Sequence, residues 1–380
     1  MDGPQPLAKH PSVSSSTNRE TTRCADQDSP RRDEPLQPGY QAVKGDPLAW
    51  LLAPDPANPG VRYFALTELL GRPLDDPEVV AARQAVMSSG PVPAILAAQA
   101  DDGYWVKPGP GYLPKYQSTV WAIIFLAQLG ADGRDPRVRA GGDYLLDHGR
   151  CRVGGFSGDG KHTGLIHCLQ GNLGAALIDL GWLGDERLDA ALDWLARSVT
   201  GAGIALAEEK EAAVRYYRSG NSAPGFACSA NNHLPCAWGA VKAMLALSKV
   251  PAAARTPAMQ AAIETGVEFL LGRDPAVADY PMGYADKPSR SWFQFGFPLF
   301  YVTDVLQNLE LLTSLGYGHD PRLAPALALL LGQQDAQGRW KMAYSYNGKS
   351  WADVEQKGQP SKWVTLRALR VLKRSCKEYD

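Results

Sequence analysis

Apolar positions along this chain fall into two kinds of run that alternate. In the first kind nearly every residue is small or apolar, as in Thr119–Leu129, Asn172–Leu180, Ala237–Leu247 and Leu299–Leu315. In the second they recur at amphipathic helical spacing, as in Pro136–His148, Arg187–Ser198, Pro257–Leu271 and Arg322–Gln333. A helix apolar all round needs burial on every side, whereas an amphipathic one can face water. A repeated phrase joins the two kinds. Leu70-Gly71 leads to Asp76-Pro77, Leu129-Gly130 to Asp135-Pro136, Leu180-Gly181 to Asp185-Glu186, and Leu315-Gly316 to Asp320-Pro321. Glycine suits the left-handed position after a helix, Asp caps the next one, and Pro fits its first turn. At Leu247-Ser248 the turn is longer, and Thr256-Pro257 opens the next helix.

The unit is therefore a helix hairpin used about six times, and the fold class is all-α. Six buried inner helices ringed by outer ones make an α6/α6 toroid. The inner helices are expected near 61–70, 115–129, 167–180, 234–247, 299–315 and 361–374. The outer ones are expected near 77–88, 136–149, 186–198, 257–272 and 321–334, with 91–99 completing the ring. An open solenoid is the competing arrangement. Residues 1–45 are rich in Ser, Thr, Pro and charge and lack apolar periodicity, which predicts a disordered tail before a toroid domain at 46–376.

Two segments then stand out. Gln99-Ala100-Asp101-Asp102-Gly103-Tyr104-Trp105 and Gln334-Asp335-Ala336-Gln337-Gly338-Arg339-Trp340 both read Gln-x3-Gly-x-Trp, and each follows an expected helix. This resembles the QW repeat of squalene–hopene cyclases and the related repeat of protein prenyltransferase β subunits. The resemblance covers about residues 50–375. It implies the toroid and a structural role for these segments, tying helix ends to the next loop. The catalytic signatures of those families do not come with it. The chain has no Asp-x-Asp-Asp acid motif, no DDxxD motif and no Asp-x-Cys zinc pair. Protonation-driven cyclisation of squalene is accordingly not expected.

Composition narrows the function classes. The chain has 39 basic and 40 acidic residues, a net charge of −1, which argues against a nucleic-acid partner. No apolar run approaches the roughly 18–20 residues of a membrane span. Met1–Glu20 has no apolar signal core, so a cytoplasmic protein with reduced cysteines is expected.

Candidate chemistry gathers at the starts of the inner helices. Twelve residues before Ser248 stands Cys236, and twelve before Gly316 stands Asp304; Cys168 falls beside the matching position before Gly181. Equal distance from a helix end means similar depth along the ring axis. Cys168, Cys228, His233 and Cys236 are zinc-type ligands. The spacing Cys228-x4-His233-x2-Cys236 is no standard finger, and buried cysteines also serve as small hydrophobes. The resemblance adds that prenyltransferases hold zinc at a comparable ring position. Asp304, in an otherwise apolar segment, is a candidate general acid or base, with His233 and Tyr301 as catalytic companions. Its alternative role is a structural hydrogen bond.

Asn172 is polar in an apolar inner helix and is expected to line a cavity. Long aromatic loops at 104–117 and 280–297, carrying Tyr116 and Trp292, suit a lid over an apolar or aromatic ligand. Gly155–His162 has phosphate-loop spacing, but His162 stands where Ser or Thr should be, and no strand precedes it. No nucleotide cofactor is expected.

The reading that results is a lyase, isomerase or cyclase acting on a hydrophobic or aromatic small molecule, with zinc assistance. Its competitors are a prenyltransferase-like non-catalytic subunit and a polysaccharide-active toroid.

Overall fold

A computed structural model describes residues 42–203 and 221–376. The expected tail lies outside the described residues up to position 41. Everything described belongs to one compact unit, Gln37–Asp380.

The helices are, in chain order, α1 (Pro47–Leu52), α2 (Pro59–Phe64, continued as one wider turn over Ala65–Leu69), α3 (Pro77–Ser88) and α4 (Pro91–Ala97). Then come α5 (Thr119–Leu129), α6 (Pro136–His148), α7 (His167–Asp179), α8 (Glu186–Thr200), α9 (Ala237–Ser248) and α10 (Pro257–Leu271). The last are α11 (Val305–Ser314), α12 (Ala324–Gly332) and α13 (Lys362–Arg374). A two-residue antiparallel pair, β1 (Ser222–Ala223) with β2 (Ala227–Cys228), is the only sheet among the described residues.

The inner helices close a ring. α5 packs on α7, α7 on α9, α9 on α11, α11 on α13, and α13 on α2. The last gap, α2 to α5, is filled at Gly60, where a Cβ would collide with the carbonyl oxygen of Leu129. Gly171 plays the same part between α7 and α9, against the carbonyl of Lys242. At both places the lack of a side chain sets the helix separation. Every residue of α5 except Gln128 is buried, as its all-apolar sequence requires.

The turn phrase does its local work. Gly130, Gly181 and Gly316 take positive φ after α5, α7 and α11. Asp76, Asp135, Asp185 and Asp320 accept backbone N–H bonds at the starts of the outer segments. At the last three caps an Arg two residues on binds the capping carboxylate, through Arg137, Arg187 and Arg322. That bond is the leading reason the Asp185 and Asp320 carboxyls fall to about 2.

The structure departs from the sequence pattern in several places, with α5 beginning at Thr119 rather than 115 and α9 at Ala237 rather than 234. The inner helix expected at 299–315 begins only at Val305, because Asp304 caps it by accepting the Gln307 N–H at 2.7 Å. Helix 91–97 does not complete the ring but sits between α3 and α5; the first helix, α1, instead packs against α13 and α2. The two Gln-x3-Gly-x-Trp segments form matching corners. Trp105 donates its indole N–H to Ile95 O and its backbone N–H to Thr119 Oγ1. Trp340 makes the same pair of bonds with Leu330 O and Thr365 Oγ1. Both indoles are completely buried.

The seam between chain ends is polar as well as packed. Trp363 donates to Asn58 Oδ1 at 2.9 Å, Lys362 pairs with Asp55 at 3.2 Å, and Lys373 caps the carbonyls of Glu68 and Leu69. An Asn58→Ala substitution strands the buried Trp363 N–H and should cost about 1–3 kcal/mol of stability, read by urea unfolding.

Candidate functional site

A cavity of about 540 Å³ opens inside the ring. It is lined by the later part of every inner helix, including Thr67 and Glu68, Gln128, Asp179, Ser248, Ser314 and Arg374. The inner helices therefore run the same way, and the cavity lies at their C-terminal end. Counting six residues from each inner N-cap gives Phe64, Ile124, Asn172, Lys242, Glu310 and Arg367, one belt around the interior. All of them except Lys242 line the cavity.

The cavity wall is apolar where Phe64, Ile124, Leu245, Phe297 and Leu299 face it, and charged toward the helix ends. Five basic residues (Arg83, Lys249, Arg367, Arg370, Arg374) and three acidic ones (Glu68, Asp179, Glu310) line it. Lys249 pairs with Asp179 at 2.7 Å, and Arg370 pairs with Glu68. Arg83 is held by the carbonyls of Gly130 and Ala131 and the phenol of Tyr63, groups that do not neutralise it.

Under this cavity Arg367 is almost wholly buried. Its guanidinium gives 2.8 and 2.9 Å bonds to both oxygens of Asp304, 2.9 Å to Glu310 and 2.8 Å to Gly296 O. Burial opposes its charge, but the two carboxylates outweigh burial and raise its pKa. Lys242 has no such partner. It is fully buried, its Nζ makes no hydrogen bond, and burial pulls it down to about 7.

The residues singled out from sequence separate into three places. Asp304 and Cys236 do share a layer, since both are helix N-caps, and Cys168 lies in the first turn of α7. Asp304, however, is spent on Arg367, on the Gln307 N–H and on the Gly296 N–H at 3.2 Å. Tyr301 hydrogen-bonds the Tyr112 hydroxyl, and burial, with Tyr112 beside it, raises its pKa. Tyr116 stacks on Phe300 at 5.6 Å and lies 4.7 Å from Tyr346, in an aromatic cluster with Trp121 at the N-terminal end of α5. Trp292 is buried away from the cavity, donating to Pro275 O and packing on Tyr280. Of the three expected ligand contacts only Asn172 lines the cavity, fixed by a 2.8 Å bond to Phe300 O.

The cysteines form the third place. The neighbouring Cys236 thiol, with the backbone at Ala230 and Asn231 and the nearby His233, lowers Cys228 to about 6 despite partial burial. Cys236 shifts upward for the same reason. Cys168 is buried and raised to about 12. His233 is exposed. Among the described residues no three His, Cys, Asp or Glu side chains are placed to hold a metal ion, so the expected zinc set does not fit.

The sequence reading passed over Arg367, Glu310, Arg370 and Arg374. A signal was present: Arg367, Arg370 and Arg374 recur at three and four residues on a helix expected to be buried.

No family model and no curated protein matches the chain. Solved structures of the type II terpene cyclase MstE from Scytonema do. The apo form is 14% identical over 74% of this chain and 95% of that one, with a TM-score of 0.28. A variant with its substrate geranylgeranyl dihydroxybenzoate is 16% identical over 75% and 95%, with a TM-score of 0.30. The ring rests on its own helix contacts. No described helix is long and apolar enough to cross a membrane.

Two outcomes follow from these buried charges. Asp304→Ala leaves Arg367 half paired in the interior and should cost about 3–5 kcal/mol in denaturant unfolding. His167 is fully buried, which lowers it from 6.5 to about 4. Its Nε2 lies 3.0 Å from Ser198 Oγ, which donates to Leu195 O, so Nε2 carries the proton. Between these two pKa values the unfolded chain binds more protons. The contribution is complete above pH 6.5 and is lost as pH falls toward 4, at up to about 1.4 kcal/mol per pH unit. Comparing His167→Gln with the parent in unfolding titrations across that window isolates the effect.

Proposed function

We propose that the chain is an enzyme of the lyase, isomerase or cyclase kind, acting on an apolar molecule with an anionic end held in the central cavity. The carrying observation is the cavity's own polarity: Phe64, Ile124, Leu245 and Leu299 on the wall, and five basic against three acidic residues around it. An apolar body gains roughly 25 cal/mol per Å² buried there. An anionic group answers the excess of positive charge.

Proton transfer is the chemistry such a lining supports. Asp304, expected from sequence to move a proton, has both oxygens on Arg367 and does not line the cavity, whereas Glu310 gives Arg367 one oxygen and does. Glu310 is the carboxylate of the cavity wall in the belt with Asn172, between Arg367 and Arg370. In this reading Glu310 takes or gives a proton at the bound molecule, and the arginines hold the charge that develops. No step runs through a metal.

The test is titration with a fluorescent long-chain carboxylate and its alcohol analogue, alongside native mass spectrometry for co-purified ligand. The carboxylate should bind more tightly than the alcohol and more weakly at high salt. Arg374→Glu should weaken it about tenfold, close to 1.4 kcal/mol, and Ile124→Trp should block both probes by filling the wall. Equal affinity for the two probes, or no binding, overturns the reading. If a copurified ligand is identified, Glu310→Gln should bind it and fail to convert it. A parent protein that binds without converting would make this a binding module instead.

A further inference from the structure

Away from the cavity, at the N-terminal end of α9, the chain folds back sharply on itself. β2 ends at Cys228, a short turn covers Ser229–Asn231, and Asn232 and His233 both take positive φ (53° and 60°). The returning chain then pairs Pro235 with Ala227. Three backbone bonds hold the reversal: Cys228 N–H to Leu234 O at 3.2 Å, His233 N–H to Cys228 O at 2.8 Å, and Cys236 N–H to Phe226 O at 2.9 Å. Because Ala227 pairs with Pro235 and side chains alternate between faces, Cys228 and Cys236 lie on the same face of the reversal, diagonally across from one another.

The two thiols are not equivalent. Cys236 is the N-cap of an inner helix, next to the buried Ala237. Cys228 lies in the turn, where its neighbours Ala230, Asn232, His233 and Leu234 are exposed. A molecule arriving from solvent meets Cys228 first. Cys168, the third thiol nearby, is buried.

We propose that Cys228 and Cys236 form a dithiol site that exchanges with low-molecular-weight disulfides, Cys228 attacking and Cys236 resolving. In the first step the Cys228 thiolate attacks one sulfur of the disulfide. A mixed disulfide forms, the original S–S bond breaks, and one half leaves as thiolate. In the second step the Cys236 sulfur attacks the Cys228 sulfur. The intramolecular S–S bond forms, the second half leaves as thiolate, and the proton from Cys236 goes with it. The cysteine pair loses two electrons and the small disulfide gains them. Diagonal neighbours on one face of a reversal have only to bring their sulfurs to a bond length of about 2.05 Å. The site is independent of the ligand assigned to the cavity.

Reduced full-length protein, incubated in glutathione–glutathione disulfide buffers of stepped ratio and quenched with N-ethylmaleimide, tests this directly. One tryptic peptide, residues 219–242, carries Cys228 and Cys236 and no other cysteine. It should pass from two maleimide groups to none, lighter by two hydrogens than the reduced peptide, and return on treatment with dithiothreitol. Cys236→Ser should stop at one glutathione on Cys228, and Cys228→Ser should leave Cys236 unmodified at the same ratio. A peptide that keeps both maleimide groups at ratios that modify Cys376 overturns the proposal. So does a disulfide joining two chains, or glutathione appearing on Cys236 of Cys228→Ser as readily as on Cys228 of the parent. The parent protein alone decides whether the bond closes, so a variant that fails to fold does not blunt the test.

Discussion

Arg367 reaches from the last inner helix to the cap of the preceding one, grips both oxygens of Asp304, and continues to Glu310 one and a half turns further along the same helix. A guanidinium this deeply buried is tolerable only when every N–H it points inward finds an acceptor. The acceptors come from α11 and from the chain just before it, so α13 can occupy one depth and one rotation. That constraint passes around the ring. With α13 placed, Trp363 meets Asn58, Lys373 meets the end of the first inner helix, and the two ends of the domain close on each other.

The same charges shape the space above them. Arg367 and Glu310 are part of the cavity wall, and Arg370 joins Glu310 to Glu68 across the seam. The group that locks the fold therefore also gives the cavity its polar side. A change there alters stability and ligand affinity together, whereas the exposed Arg374 bears on affinity more than on the fold. Lys242, in the same belt, shows the contrary case. Without an acceptor, a buried amine yields part of its charge instead.

The opposite end of the ring is built from other material. There the aromatic rings of Tyr112, Trp121, Phe300, Tyr301 and Tyr346 meet edge to face, Tyr116 stacks on Phe300, and the cysteine turn lies at the start of α9. The sequence chemistry had gathered at this end because unusual side chains are easy to see among apolar ones. Tyr116 and Trp292 were expected to contact a ligand, yet each is packed among other side chains. An aromatic residue in a long loop looks the same on paper whether it covers a ligand or a helix end.

Local pattern was enough for everything that local physics controls. The alternation of all-apolar and amphipathic runs separated inner from outer helices, because burial on all sides and burial on one leave different periodicities. The Leu-Gly and Asp-Pro phrase marked the turns, because positive φ and orphan N–H groups each demand particular residues. Counting back from helix ends placed Cys236 and Asp304 in one layer. What the sequence could not decide was every contact made at long range. Whether Asp304 was an acid or half of an ion pair depended on a residue 63 positions away. Which helix completed the ring depended on where the first and last helices of the domain meet, and which end of the ring held the cavity depended on the packing of all six inner helices. Those are properties of packing among distant segments, and only the closed ring expresses them.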